Sequence, residues 1–272
     1  MNTLGWIIGF TLLGGVAGVL LASLFLLVPE AARARALPFM VAFATGALLG
    51  AALLGLLPEA IELAGPSGYG RVGLSLLGGI ALFFILEKLV LWRHCHEDHC
   101  ETHAPHAPQG HQHSHGHGHG HPERAPGVML LVGESMHNVL DGVLIAAAFL
   151  IDVQLGVMTG LAVLAHEVPT EVGNFAVLLN SGMSRGQAFR WNLTAALGAV
   201  LGGVVGYFAL SALRPILPYA LAVSAASLLY VAVADLIPGL HRRVDARSGL
   251  WQVLLIAAGV TLVAGVEHYL PH

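Results

Sequence analysis

Two short polar strings carry the side chains best suited to hold a metal ion. One is His137-Asn138-Val139-Leu140-Asp141-Gly142; the other is His166-Glu167-Val168-Pro169-Thr170-Glu171. The ligating types recur at one-turn spacing. His137 and Asp141, Glu167 and Glu171, and His166 and Thr170 are each four apart, and Asn138 and Asp141 are three apart, so each pair shares a helix face. Glu134 continues the first face by another turn. Imidazole suits zinc and its borderline neighbours, whereas carboxylate and amide oxygens suit harder ions. A mixed nitrogen and oxygen set without thiolates holds a divalent ion moderately and lets it leave. Pro169 has no N–H to give, which frees the carbonyl of Ala165 for another partner.

The stretches that must position these residues are apolar. Of 272 residues, 56% are hydrophobic and 10% charged, against about 25% charged in soluble domains, so the expected class is an all-α integral membrane protein. A spanning helix needs about 20 mostly apolar residues. Eight stretches qualify: 4–28, 36–57, 72–92, 127–151, 155–184, 191–213, 218–234 and 248–270. No cleavable leader is expected at the start, which is uniformly apolar and lacks a basic opening. Pro169 is expected to kink the fifth stretch, Pro58 and Pro238 to end theirs, and Glu87-Lys88 to form an interfacial ion pair. Arginine sets the direction. With the N-terminus outside, the inner connections hold Arg33, Arg35, Arg93, Arg124, Arg185, Arg190, Arg242, Arg243 and Arg247, and the outer ones only Arg71 and Arg214. Both termini are therefore expected outside a cell membrane. Each polar string then falls near mid-depth of its stretch, on antiparallel neighbours joined by a short turn, so the two face each other. Ionisable residues at that depth are costly and mark ion or proton paths.

The chain divides into 1–93 (three spans), 94–126 (a connection) and 127–272 (five spans), forming one membrane domain. The connection holds eleven of the sixteen histidines. Its ligand types include His94, Cys95, His96, His99 and Cys100, then His111, His113, His115, His117, His119 and His121. Its low hydrophobicity supports no packed core, and the arginine bias places it in the cytoplasm, where it is expected to capture metal or regulate its entry, the plainer reading being a solvated spacer with no metal role. Glu59 maps to the outer face, either as part of an acidic entrance that concentrates cations or as a solvated helix end, and Asp235 to the inner end of the seventh span, where it could line an exit. A nucleic-acid partner is not expected.

Other readings of the same residues are blander. One buried His or Asn often bonds a neighbouring membrane helix, but two strings at matched depth fit that poorly. His166-Glu167 begins a His-Glu-x-x-His protease box, yet Thr170 stands where its second His belongs and Pro169 interrupts the helix. The functional rivals are a metal exporter of the cation diffusion facilitator type, for which six spans are expected, an intramembrane metal-dependent hydrolase, and a membrane metal sensor.

At these residues the chain resembles the ZIP (Zrt-, Irt-like protein) family of divalent-metal transporters. The resemblance covers nearly the whole chain: eight spans, outside termini, the His-rich loop, His-Asn-x-x-Asp-Gly and His-Glu-x-Pro-x-Glu. It extends to Ala44-Thr45-Gly46-Ala47-Leu48-Leu49-Gly50 and Leu57-Pro58-Glu59-Ala60 in the second span. It implies a ZIP-type bundle with an inverted repeat of spans 1–3 and 6–8 around spans 4 and 5, alternating access, and dimers. It also implies a binuclear centre: one metal on His137, Asp141 and His166, a second on Asn138, Asp141 and Glu167, with Asp141 bridging. Two departures stand out. Thr170 replaces the second His of many relatives, with Glu171 or water as its substitute, and span six has no carboxylate. The expected function is a transporter, not an enzyme, bringing zinc, or also cadmium, iron or manganese, into the cytoplasm.

Overall fold

The computed structural model describes residues 2–94, 125–241 and 246–269, and these are helical nearly throughout. Helix α1 (Thr3–Phe25) begins where the Asn2 side chain accepts the Gly5 N–H at 2.9 Å. Helix α2 (Glu30–Gly50) passes into a π-helical turn, Ala51–Leu56, and then α3 (Leu57–Ala64). Helices α4 (Tyr69–His94) and α5 (Ala125–Phe149) follow. The Asp152 side chain caps α6 (Val153–Asn180), and a Ser184–Gln187 capping box starts α7 (Arg185–Ala212); both satisfy N–H groups that a helix start leaves orphaned. Helix α8 (Leu217–Tyr230) enters a second π-helical turn, Val231–Leu236, then α9 (Ile237–Leu240), and α10 (Ala246–Tyr269) ends the bundle.

Among the described residues, seven segments are long and apolar enough to cross a membrane, each π turn lying inside one of them. The expected span over 155–184 corresponds to α6, which has 28 residues but is not among the seven. It carries His166, Glu167, Thr170, Glu171 and Asn174 in its middle, and His166, Glu167, Glu171 and Asn174 are buried against other helices. A buried helix has no need of a continuous apolar surface.

The structure corrects two finer expectations. Pro58 and Pro238 do not end their helices. Each is the second residue of the helical segment after a π turn, a first-turn position where no N–H is required. Glu87 does not pair with Lys88: it accepts a hydrogen bond from the Tyr230 hydroxyl of α8, while the Lys88 ammonium lies 5.6 Å from the Phe84 ring centre. Adjacent residues on a helix point in different directions, so that pair had no common face. Helix α6 runs unbroken through Pro169.

Helix α5 packs along α7, α1 lies against α6 and α7, α10 lies along α2, and α4 lies along α8. Two glycines let α5 and α7 touch backbone to backbone. A methyl at Gly142 would overlap the Ala199 carbonyl oxygen, and one at Gly202 the Val139 carbonyl oxygen. Two apolar clusters bracket the polar strings along the helix axes. One includes Ile145, Phe149, Leu155 and Met158, the other Leu131, Val172, Phe175 and Leu178.

Candidate metal site

Between those clusters, α5 and α6 bring four donors to one point. The Nε2 atoms of His137 and His166 are 3.2 Å apart. His166 Nε2 lies 3.4 Å from Asp141 Oδ2 and 3.3 Å from Glu167 Oε1. His137 Nε2 lies 3.6 Å from each of the same two oxygens. Zinc bonds to nitrogen and carboxylate oxygen run about 2.0–2.2 Å, and a regular tetrahedron around such an ion has edges of about 3.3–3.6 Å. The five measured separations fall on or within 0.1 Å of that range.

The local structure orients these donors. His166 Nδ1 lies 3.4 Å from the Ala162 carbonyl one turn earlier. A carbonyl only accepts, so Nδ1 carries the hydrogen and Nε2 keeps its lone pair toward the other ligands. Asp141, His166 and Glu167 are buried to within 3% of complete, whereas the His137 side chain is 24% exposed. Asp141 Oδ2 and Glu167 Oε1 are buried without a hydrogen-bond donor.

The remaining residues singled out from the sequence fall into three groups. Glu134, Glu167 and Glu171 form a second buried cluster, their ligand atoms within 4.8 Å of one another. Asn138 turns its amide toward Glu134, donating to the carbonyl at 3.0 Å and to Oε1 at 3.2 Å. Thr170 donates its hydroxyl to the His166 carbonyl at 2.9 Å. Glu59 sits in α3 and Asp235, exposed, in the second π turn, within electrostatic range of His137. His94 ends α4, but Cys95, His96, His99, Cys100, His111, His113, His115, His117, His119 and His121 lie outside the described residues. Sequence reasoning passed over Asn174, three residues beyond Glu171 on its face, and Asn192 of α7, whose buried amide has no hydrogen-bond partner. In both, the available signal was an amide in an apolar stretch.

Against known families, residues 3–267 match the profile described as ZIP zinc transporter. The chain belongs to the ZIP zinc transporter family. Among its relatives, "Zinc transporter ZIP13" of Homo sapiens is 31% identical over 82% of this chain and 69% of its own length. The Pongo abelii protein of the same name is also 31% identical over 82% of this chain, an alignment spanning 65% of its own length. "Zinc transporter SLC39A7" of Homo sapiens is 30% identical over 85% of this chain and 64% of its length. This family member therefore spans about two thirds of the relatives it matches.

Proposed function

We propose that the chain transports divalent metal, zinc foremost, from outside the membrane into the cytoplasm, with His137, Asp141, His166 and Glu167 as the mid-membrane transport site. The observation that carries this reading is the convergence of two imidazole nitrogens and two carboxylate oxygens at separations that suit one tetrahedral ion. Two carboxylates balance the charge of a divalent cation, which lowers the cost of holding it at low dielectric. The names of the family and of its zinc-transporting relatives support the same substrate. Helix α6 is read as an eighth span, its polar face being the transport site itself.

The bundle is read as two inverted halves around α5 and α6. The π turns support this, beginning at residues 51 and 231 and each followed by a proline at the same place. Helix packing supports it too: α10 lies on α2 as α4 lies on α8, and α7 lies on α5 as α1 lies on α6. Halves of this kind suit alternating access around a fixed site.

The test is metal influx into vesicles reconstituted with purified protein, compared across zinc, cadmium, iron and manganese. His137→Ala and Asp141→Ala are expected to reduce zinc influx to background while the protein still inserts. Unchanged influx in either variant would refute the site.

A further inference from the structure

A groove of about 570 Å³ opens between α5, the α6–α7 turn and the start of α7. Its walls are apolar, with Leu131, Val132 and Met136 on one side, Met183 at the turn, and Trp191 and Ala195 on the other. Val132, Met136 and Trp191 remain about half exposed, at 52%, 46% and 52%. The hydroxyls in the groove are turned to their own backbone. Ser135 donates to the Leu131 carbonyl at 2.7 Å, Ser181 to Leu178 at 2.8 Å and Thr194 to Arg190 at 2.8 Å. What remains on offer is mainly carbon, which suits an apolar occupant over a polar one. The mouth, by contrast, is basic. Arg185 and Arg190 are exposed at the start of α7. Arg190 Nε donates to the Gly186 carbonyl at 3.2 Å, which holds its guanidinium back along the helix toward Arg185. No Asp or Glu occurs in the sequence between Glu171 and Asp235, and among the described residues neither guanidinium is paired with a carboxylate. Trp191 directly follows Arg190, and tryptophan beside arginine at the end of an apolar helix is the composition of a membrane interface.

We infer that this groove binds one anionic phospholipid, with an acyl chain in the groove and the phosphate on Arg185 and Arg190. The charge balance selects this occupant. Each arginine at a membrane surface adds to the binding of anionic lipid, and phosphate takes a guanidinium through paired, charge-assisted hydrogen bonds. A second copy of the chain, packed symmetrically, would bring the same acid-free stretch and leave the arginines without a counter-charge. The dimensions agree as well: along α7 the groove runs from Gln187 to Ala195, about 12 Å of helix, with the arginines at one end and carbon along the rest. The site is independent of the transport-site reading. At about 3.6 residues per turn, Leu131, Val132, Ser135 and Met136 fall on the side of α5 turned away from His137 and Asp141. A lipid seated there braces α5 against α7 from behind the metal donors without touching them.

The experiment is native mass spectrometry of the purified full chain, with its melting temperature, after phosphatidylglycerol or phosphatidylcholine of the same acyl chains is added to the detergent micelles. One phosphatidylglycerol per chain is expected to stay bound and to raise the melting temperature more than phosphatidylcholine does. Arg185→Gln and Arg190→Gln are each expected to weaken phosphatidylglycerol binding about five-fold and to leave phosphatidylcholine unchanged. Thr194→Phe keeps both arginines and strands no partner, because the hydroxyl it removes bonds its own helix. It fills the groove and is expected to expel both lipids, while an unchanged size-exclusion profile reports that each variant folds. Equal retention of the two lipids by the unaltered chain, or a preference that survives both arginine changes together, overturns the headgroup assignment. Retention that survives Thr194→Phe overturns the groove. Glycerol 3-phosphate carries the charge without the chain and is expected to give no stabilisation; if it matches the lipid, the site takes bare anions and the proposal fails. A dimer that Thr194→Phe splits, with lipid retention untouched, gives the groove to a second copy instead.

Discussion

Asp141 touches both imidazoles of the centre through one oxygen, at 3.6 Å from His137 and 3.4 Å from His166. It supplies half of the negative charge that a divalent ion needs there. Asp141→Asn keeps the shape and removes the charge, so zinc influx is expected to fall at least about ten-fold, measured in reconstituted vesicles at equal protein insertion. Acidification acts in the same direction. Protonated imidazole and carboxyl groups do not ligate, so influx is expected to decline as pH falls; a steady rise would exclude simple proton competition. Thr170 makes a contrasting case. Its hydroxyl is taken by the His166 carbonyl, so Thr170→Val is expected to leave influx near the wild-type rate, and its collapse would show that Thr170 ligates the ion. At this scale the sequence was informative about residue type and depth, because spacing of three and four defines a helix face. It said less about which donors share an ion. Glu134 read as a continuation of the first face, and only the rotation of α5 against α6 brings it to Glu167 and Glu171.

Helices α5 and α7 approach so closely that Gly142 and Gly202 each face a carbonyl oxygen of the partner. Gly142 directly follows Asp141, so the same contact that joins the helices holds that ligand at its depth. Gly142→Ala or Gly202→Ala forces the helices apart, at a cost of about 1–3 kcal/mol for an overpacked interior. Lower thermal stability of the purified protein is expected in each variant, and an unchanged melting temperature would contradict the packing. The glycines stand out in the sequence, but which of them face a backbone depends on helix crossing. The π turns were not legible at all. Pro58 and Pro238 read as helix stops because the wider turn that precedes each, and makes the proline harmless, leaves no pattern in residue type.

Across the whole molecule, the bundle class was plain from composition, and seven of the eight expected spans have helices apolar enough to cross a membrane. The exception is α6, where the proposed metal ligands dilute the hydropathy that would have marked it. The proposed orientation rests on the arginines alone and has its own test. Cys95 and Cys100 are the only cysteines and both precede the histidine run. A membrane-impermeant thiol reagent is expected to label them in inside-out vesicles and not in intact cells. Labelling from the outside would reverse the topology and with it the direction of flux.

The His137 side chain is 24% exposed, while the other three donors are sealed to within 3%. Incoming water can displace only the donor it can reach. At the proposed transport site, ion exit is therefore expected to start by swapping this imidazole for a water molecule, so His137→Ala is expected to shorten the dwell of a bound ion more than it alters the other three donors.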